Sequence, residues 1–303
     1  MLKHKLIMLS LCVALSAPML AQASYQQNRA LEAQISKQLE YGDQADRKVL
    51  FGLYKKTAAL GSIQGQIGLA RAYAFGDGVK QSGKQAVEWL SKAVSQGDVG
   101  AIYLMGEFHD PKNEAINGVK PNQREALRWY ALAVAKSTEA DLSVNKGNVG
   151  FGVEALAKAY ETGDGVGKDG VQAINFYQML AKVGGRESAL INIGDIYKEG
   201  KIVPKDYSKA LSSYMAASQY ESTYGDEYKI GDMYYNGLGV KQDYAKAYEW
   251  YRKSAADGDA EGYIAIGKMF STGTGVSKDK AVAKDWFIAG CNIGSADACR
   301  LSK

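Results

Sequence analysis

Apolar and small residues recur at helical spacing on both sides of short glycine turns, from about residue 62 to the end of the chain. In "YKIGDMYYNGLGVKQDYAKAYEWYRKSAADGD", Tyr228 to Asp259, the spacing predicts one amphipathic helix ending at Asn236 and a second starting just after Asp243. Gly237 can take the positive φ that closes the first helix. Asp243 stands where an N-cap for the second belongs. The long apolar alternations expected of strands are missing, and the chain has only 4 prolines. The pattern predicts an all-α protein.

The same pair recurs along the sequence. Valines follow the turn glycines, or stand in their place, at Val79, Val119, Val166, Val203, Val240 and Val276, at spacings of 40, 47, 37, 37 and 36. Seven residues after each lies an alanine: Ala86, Ala126, Ala173, Ala210, Ala247 and Ala283. Ten after each lies Trp89, Trp129, Phe176, Ser213, Trp250 or Trp286, expected to fill the groove beyond the alanine. Ser82, Asn122, Asp169, Asp206 and Asp279 hold the cap position of Asp243 in their own units. A helix pair this small cannot bury its own apolar face, so neighbouring pairs must stack into a solenoid.

Six units are expected, over about 62–98, 99–138, 147–186, 187–225, 226–259 and 260–303. A degenerate unit and a capping helix fill 24–61, since "LYKKTAALG", Leu53 to Gly61, mirrors "WYRKSAADG", Trp250 to Gly258. No linker separates the units, so the pattern reads as one continuous domain. Two insertions interrupt it, one lengthening the turn from His109 to Gly118 and one from Ser137 to Gly150.

This repeat explains a deceptive motif. Gly165, Gly167 and Gly170 form a G-x-G-x-x-G, but a dinucleotide fingerprint must follow a strand. Here helix formers precede it, and the glycines belong to the interhelix turn of the third unit.

Composition narrows the class further. Residues 1–23 have a basic start, an apolar run and an Ala-Gln-Ala before Ser24, the layout of a cleavable secretory signal peptide. No later segment is apolar enough to cross a membrane. Removing Lys3 and Lys5 from 37 basic residues leaves 35 against 33 acidic ones, a net charge of +2. Nucleic acid needs a concentrated basic face, so it is not expected as a partner. Export would leave Cys291 and Cys299 in an oxidising compartment, as a disulfide or as two separate buried thiols.

In aggregate the pattern resembles the Sel-one-like repeat (SLR) family, relatives of the tetratricopeptide repeats. The carrying residues are "IGDMY" and "IGDIY" of the first helix, Gly-x-Gly-Val in the turn, and Ala-x-x-Trp-Tyr of the second helix. The resemblance covers roughly residues 45–303 and implies a right-handed α-solenoid superhelix. Ser213 and the missing Gly-x-Gly in "EGKIVPKD" depart from the pattern in the fourth unit. The closing "AGCNIGSADAC" looks like the cysteine-rich secreted members. That likeness implies a Cys291–Cys299 bond clipping one second helix to the next first helix.

Some of those members carry a penicillin-binding or β-lactamase label, which makes a β-lactam-binding enzyme the alternative function. S-x-x-K occurs at Ser143 and Ser277, about as often as chance allows, while S-D-N and K-T-G are absent. The mature chain has one histidine, His109, too few for a His-rich zinc site. No catalytic residue, metal or cofactor is expected. Nitrocefin hydrolysis with Ser143→Ala and Ser277→Ala controls would separate the classes.

The resemblance implies instead a non-catalytic interaction protein of a bacterial envelope, periplasmic or secreted, that binds a protein on the concave face lined by the first helices. Family precedents include scaffolds, regulators of sensor kinases and immunity proteins against imported phospholipase toxins. By analogy the residue after the Ala or Gly of each first helix points into that groove: Arg71, Glu107, Lys158, Asp195, Asp232 and Lys268. Tyr235 and Asn236 are candidates for added contacts. The mixed signs argue for a specific protein surface rather than a uniformly charged ligand.

Overall fold

The computed structural model describes residues 22, 24–42, 46–138, 148–184, 187–220 and 226–303. The signal segment, apart from Gln22, therefore lies outside the described residues, as do Ser143 and most of the 137–150 insertion. The described residues contain fifteen α-helices and no strand. A first compact unit, ending at Ser137, holds α1 (24–40), α2 (Arg47–Ala59), α3 (Ile63–Phe75), α4 (Gly83–Ser95), α5 (Val99–His109) and α6 (Gln123–Lys136). A second begins at Thr138 with α7 (Asn148–Thr162), α8 (Gly170–Gly184), α9 (Glu187–Glu199), α10 (Tyr207–Ala217) and α11 (Tyr228–Asn236). It continues through α12 (Tyr244–Ala256), α13 (Ala260–Thr272), α14 (Lys280–Asn292) and α15 (Ala296–Leu301). The odd helices from α3 to α13 each pack on the next even one. These are the first and second helices, A and B, of the repeats, and the fold is an all-α repeat solenoid. Among the described residues no helix is long and apolar enough to cross a membrane.

One hydrogen bond closes every interhelix turn. The amide of the cap residue donates to a carbonyl at the end of the A helix: Ser82 to Tyr73, Asp169 to Tyr160, Asp206 to Tyr197, Asp243 to Tyr234 and Asp279 to Phe270. Each cap side chain also accepts from the first turn of its B helix, as Asp243 Oδ1 does from the Lys246 amide at 3.0 Å. Such caps stabilise a helix by about 1 kcal/mol each. The turn glycines reverse the chain with positive φ, +65° at Gly237 and +68° at Gly239. Of the "fingerprint" glycines, Gly165 and Gly167 fall in this same turn and Gly170 opens α8, which Asp169 Oδ1 caps by accepting from the Val171 and Gln172 amides. In the second repeat the closing bond runs from Asn122 to His109 at 2.7 Å. His109 is thus the last residue of α5, not part of the inserted turn.

The helices approach closest through the predicted alanines: Ala86, Ala126, Ala173, Ala210 and Ala247 are fully buried, and Ala283 nearly so. The aromatic anchor is one residue further on than expected. Trp89, Trp129, Phe176, Trp250 and Trp286 are only half-buried. The next residue, Leu90, Tyr130, Tyr177, Tyr251 or Phe287, is buried instead, as is Tyr214 after Ser213. The reason is helical phase. The residue one turn after the alanine faces the partner A helix, whereas the tryptophan sits about 100° away at the edge of that interface. Lys253 spans the outer side of Trp250, its ammonium 5.4 Å from the ring centroid.

That buried ring explains the glycine of the A helix. A Cβ on Gly231 would lie 2.5 Å from the Tyr251 ring, and one on Gly194 would lie 2.4 Å from the Tyr214 ring. At the chain's end Cys291 of α14 and Cys299 of α15 are bonded, with Cα atoms 4.5 Å apart, clipping a B helix to the helix that follows.

Candidate functional site

The eight positions expected to line a groove fall into two kinds. Asp195 and Asp232 are half-buried and anchor the buried tyrosines of their own B helices. Tyr214 donates its hydroxyl to Asp195 Oδ1 at 2.6 Å, and Tyr251 to Asp232 Oδ1 at 2.8 Å. Burial first, and then the acceptor carboxylate, push both phenols well above the ordinary tyrosine range. Glu107 is also half-buried and accepts from Tyr103 at 3.2 Å; burial raises its carboxyl.

Arg71, Lys158 and Lys268 are exposed, and Lys158 pairs with Glu161 at 3.1 Å. Where the register residue is Arg71 or Lys268, the matching B-helix residue is Leu90 or Phe287, which has no hydroxyl to satisfy. Where it is aspartate, a tyrosine stands opposite. A buried hydroxyl without an acceptor is costly, so the two positions vary together. In the third repeat Tyr177 finds Glu161 at 2.7 Å, and in the second Tyr130 finds Asp110 at 3.0 Å.

Four of the eight positions meet in one place. Asp232, Tyr235, Asn236 and Lys268 line a cleft of about 260 Å³ between α11 and α13, together with Tyr228, Tyr251, Glu261, Ile264 and Ala265. The Tyr235 and Tyr251 ring centroids are 6.4 Å apart, and Asn236 is held by an Nδ2 bond to the Asp232 carbonyl at 2.9 Å. Burial and the carboxylates of Asp226, Asp259, Glu261 and Asp232 push the Tyr228 phenol up to about 12. The cleft is thus walled by tyrosine rings, with Asp232, Glu261 and Lys268 as the charged groups of its lining.

The first unit has its own cleft at the same register. It is lined by Tyr54, Gly68 and Arg71, each 197 positions before Tyr251, Ala265 and Lys268. Leu39, Leu50 and Phe51 make its walls apolar, and Arg47 bonds Asp77 at its edge. Tyr228, Tyr251, Glu261 and Ala265 were missed by sequence register.

Among the described residues no group of three His, Cys, Asp or Glu side chains could hold a metal ion. Ser277, of the second S-x-x-K, lies in the turn before the Asp279 cap.

Residues 63–98, 99–137, 154–184, 187–212, 227–259 and 260–295 match the Sel1 repeat, most of the chain, which therefore belongs to the Sel1 repeat family. A protective antigen of uropathogenic Escherichia coli with an SLR fold, c5321, aligns with 92% of this chain at a TM-score of 0.64 and 24% identity. This chain spans 57% of the length of that antigen. A Sel1 repeat protein from Oxalobacter formigenes aligns with 79% of this chain and 88% of its own length, at a TM-score of 0.55 and 24% identity. Both likenesses concern the fold. No curated protein matches the sequence.

Proposed function

We propose that this Sel1 repeat protein is an exported, non-catalytic module that binds a protein partner along the face lined by its A helices. An envelope scaffold, a regulator and an immunity protein are the roles such a module would fill. One observation carries the reading: the register residues Asp232 and Lys268, from successive A helices, line one cleft between α11 and α13 together with Tyr235 and Asn236. Tyrosine-walled clefts with a few oriented polar groups suit protein recognition, because rings supply contact area at low entropic cost.

Affinity capture from periplasm, with partners identified by mass spectrometry, tests this. A Tyr235→Ala/Lys268→Glu variant with unchanged circular dichroism should lose the partner, while a variant trimmed across 139–147 should keep it. The reverse result places recognition on the insertion and overturns the proposal.

A further inference from the structure

Within the second unit the chain shows how its A-helix face holds a cation. In the fourth repeat Lys229, which comes from the next A helix, places Nζ 2.9 Å from Asp195 Oδ2, with 13% of its side chain exposed. The same ammonium lies 5.7 Å from the centroid of the Tyr214 ring. One carboxylate, itself oriented by the Tyr214 hydroxyl, and one π face together seat a partly desolvated lysine. A second carboxylate, Asp226, stands 3.4 Å from the ammonium on its own side.

The fifth repeat has the same seat and lacks the lysine. Asp232 and Tyr251 stand 37 positions after Asp195 and Tyr214 and make the same hydroxyl–carboxylate bond. Lys229 lies eleven before Val240; the residue eleven before Val276 is Ala265. A methyl group cannot reach the carboxylate, and the cleft opens at this point. Tyr235 brings a second ring beside Tyr251. Glu261 also lines the cleft, so its lining again includes two carboxylate residues. Lys268, one turn after Ala265, is the one cation in the lining and is exposed.

Resting on the partner face proposed above, we infer that this cleft receives a lysine or arginine side chain of the partner protein. That side chain is seated on Asp232 against Tyr251 as Lys229 is seated on Asp195 against Tyr214. Lys268 then faces a carbonyl or carboxylate of the partner next to its cationic residue.

The test is an NMR titration of the full chain with Nα-acetyl-lysine methylamide and its arginine analogue, with the norleucine compound as neutral control. The cationic probes should give saturable shifts confined to the amides of 231–236 and 261–268, and norleucine should not. Ala265→Lys should abolish them, because the new side chain fills the seat as Lys229 does. Asp232→Asn, which still offers Tyr251 an acceptor, should weaken them about tenfold. Should Ala265→Lys fail to fold, Asp232→Asn alone decides. Equal binding of norleucine, or cation binding untouched by these variants, overturns the inference. Spermidine binding far more tightly than the capped lysine also overturns it, in favour of a free polyamine. If the cationic probes fail while Tyr235→Ala/Lys268→Glu still loses the captured partner, the partner face stands and the cation seat falls.

Discussion

The fourth and fifth repeats of this protein share a frame and differ in what they leave open. In both, a tyrosine lies on an A-helix glycine and bonds an aspartate, Tyr214 on Gly194 with Asp195 and Tyr251 on Gly231 with Asp232. In the fourth, Lys229 completes the site and Asp195 serves the fold. In the fifth, Ala265 stands in that place and Asp232 faces a cleft. Equivalent register therefore does not mean equivalent duty. The neighbouring repeat decides whether a carboxylate is structural or available.

The largest expected effect tests the shared frame. Tyr214→Ala and Tyr251→Ala should each cost about 3–5 kcal/mol in urea denaturation, through cavities at buried rings. Trp250→Ala, at the half-buried neighbour, should cost only about 1–2 kcal/mol. A Trp250 variant as damaging as Tyr251→Ala would break the assignment of the anchor.

Charge reversal tests the difference between the repeats. Asp195→Lys sets an ammonium against Lys229 and strips Tyr214 of its acceptor, for a loss of about 2–3 kcal/mol. Asp232→Lys strips only Tyr251 and should cost about 1 kcal/mol. Equal losses at the two sites would show that Lys229 contributes nothing to the fold.

Alkaline titration sharpens what the two repeats share. The folded phenols of Tyr214 and Tyr251 lie above the ordinary value near 10. The folded state therefore holds their protons longer, and the stabilisation is fully present below pH 10 and falls as pH rises beyond it. Tyr228 loses its share between pH 10 and about 12. Tyr214→Phe and Tyr251→Phe should each flatten the loss between pH 9 and 11 by about 1 kcal/mol, read from denaturation midpoints. An unchanged slope would mean that the phenols ionise freely in the fold.

The smallest effect concerns the missing aromatic of the fourth repeat. Ser213→Trp restores the residue found at Trp250 and should add about 0.5 kcal/mol, because that edge position is half-covered. A destabilised variant would show that the fourth repeat has closed over its serine.

Much of the frame was legible because it rests on local rules. A helix cap needs a short polar side chain, a tight reversal needs a glycine, and a close helix crossing needs alanine. Each of these is settled within about ten residues of chain. The anchor was misread by one position because Trp and Tyr adjoin in "EWYRK", and composition alone favours the larger ring. The cleft was half-legible: Asp232, Tyr235, Asn236 and Lys268 were picked out, whereas Tyr228, Glu261 and Ala265 were not.

The repeat period, the helix pairs, the caps and turns, and the register of each A helix that carries the polar residue can all be read along the chain. Those properties follow from backbone geometry and side-chain size at nearby positions. Which aromatic enters the core, and which carboxylates remain open, was set by packing between helices. Both depend on contacts between helices, such as Lys229 with Asp195, 34 positions away. A repeat pattern aligns each unit with the next, but what fills the space between two units is the joint product of both. Alanine or lysine at one position of the following helix changes that product without disturbing the period.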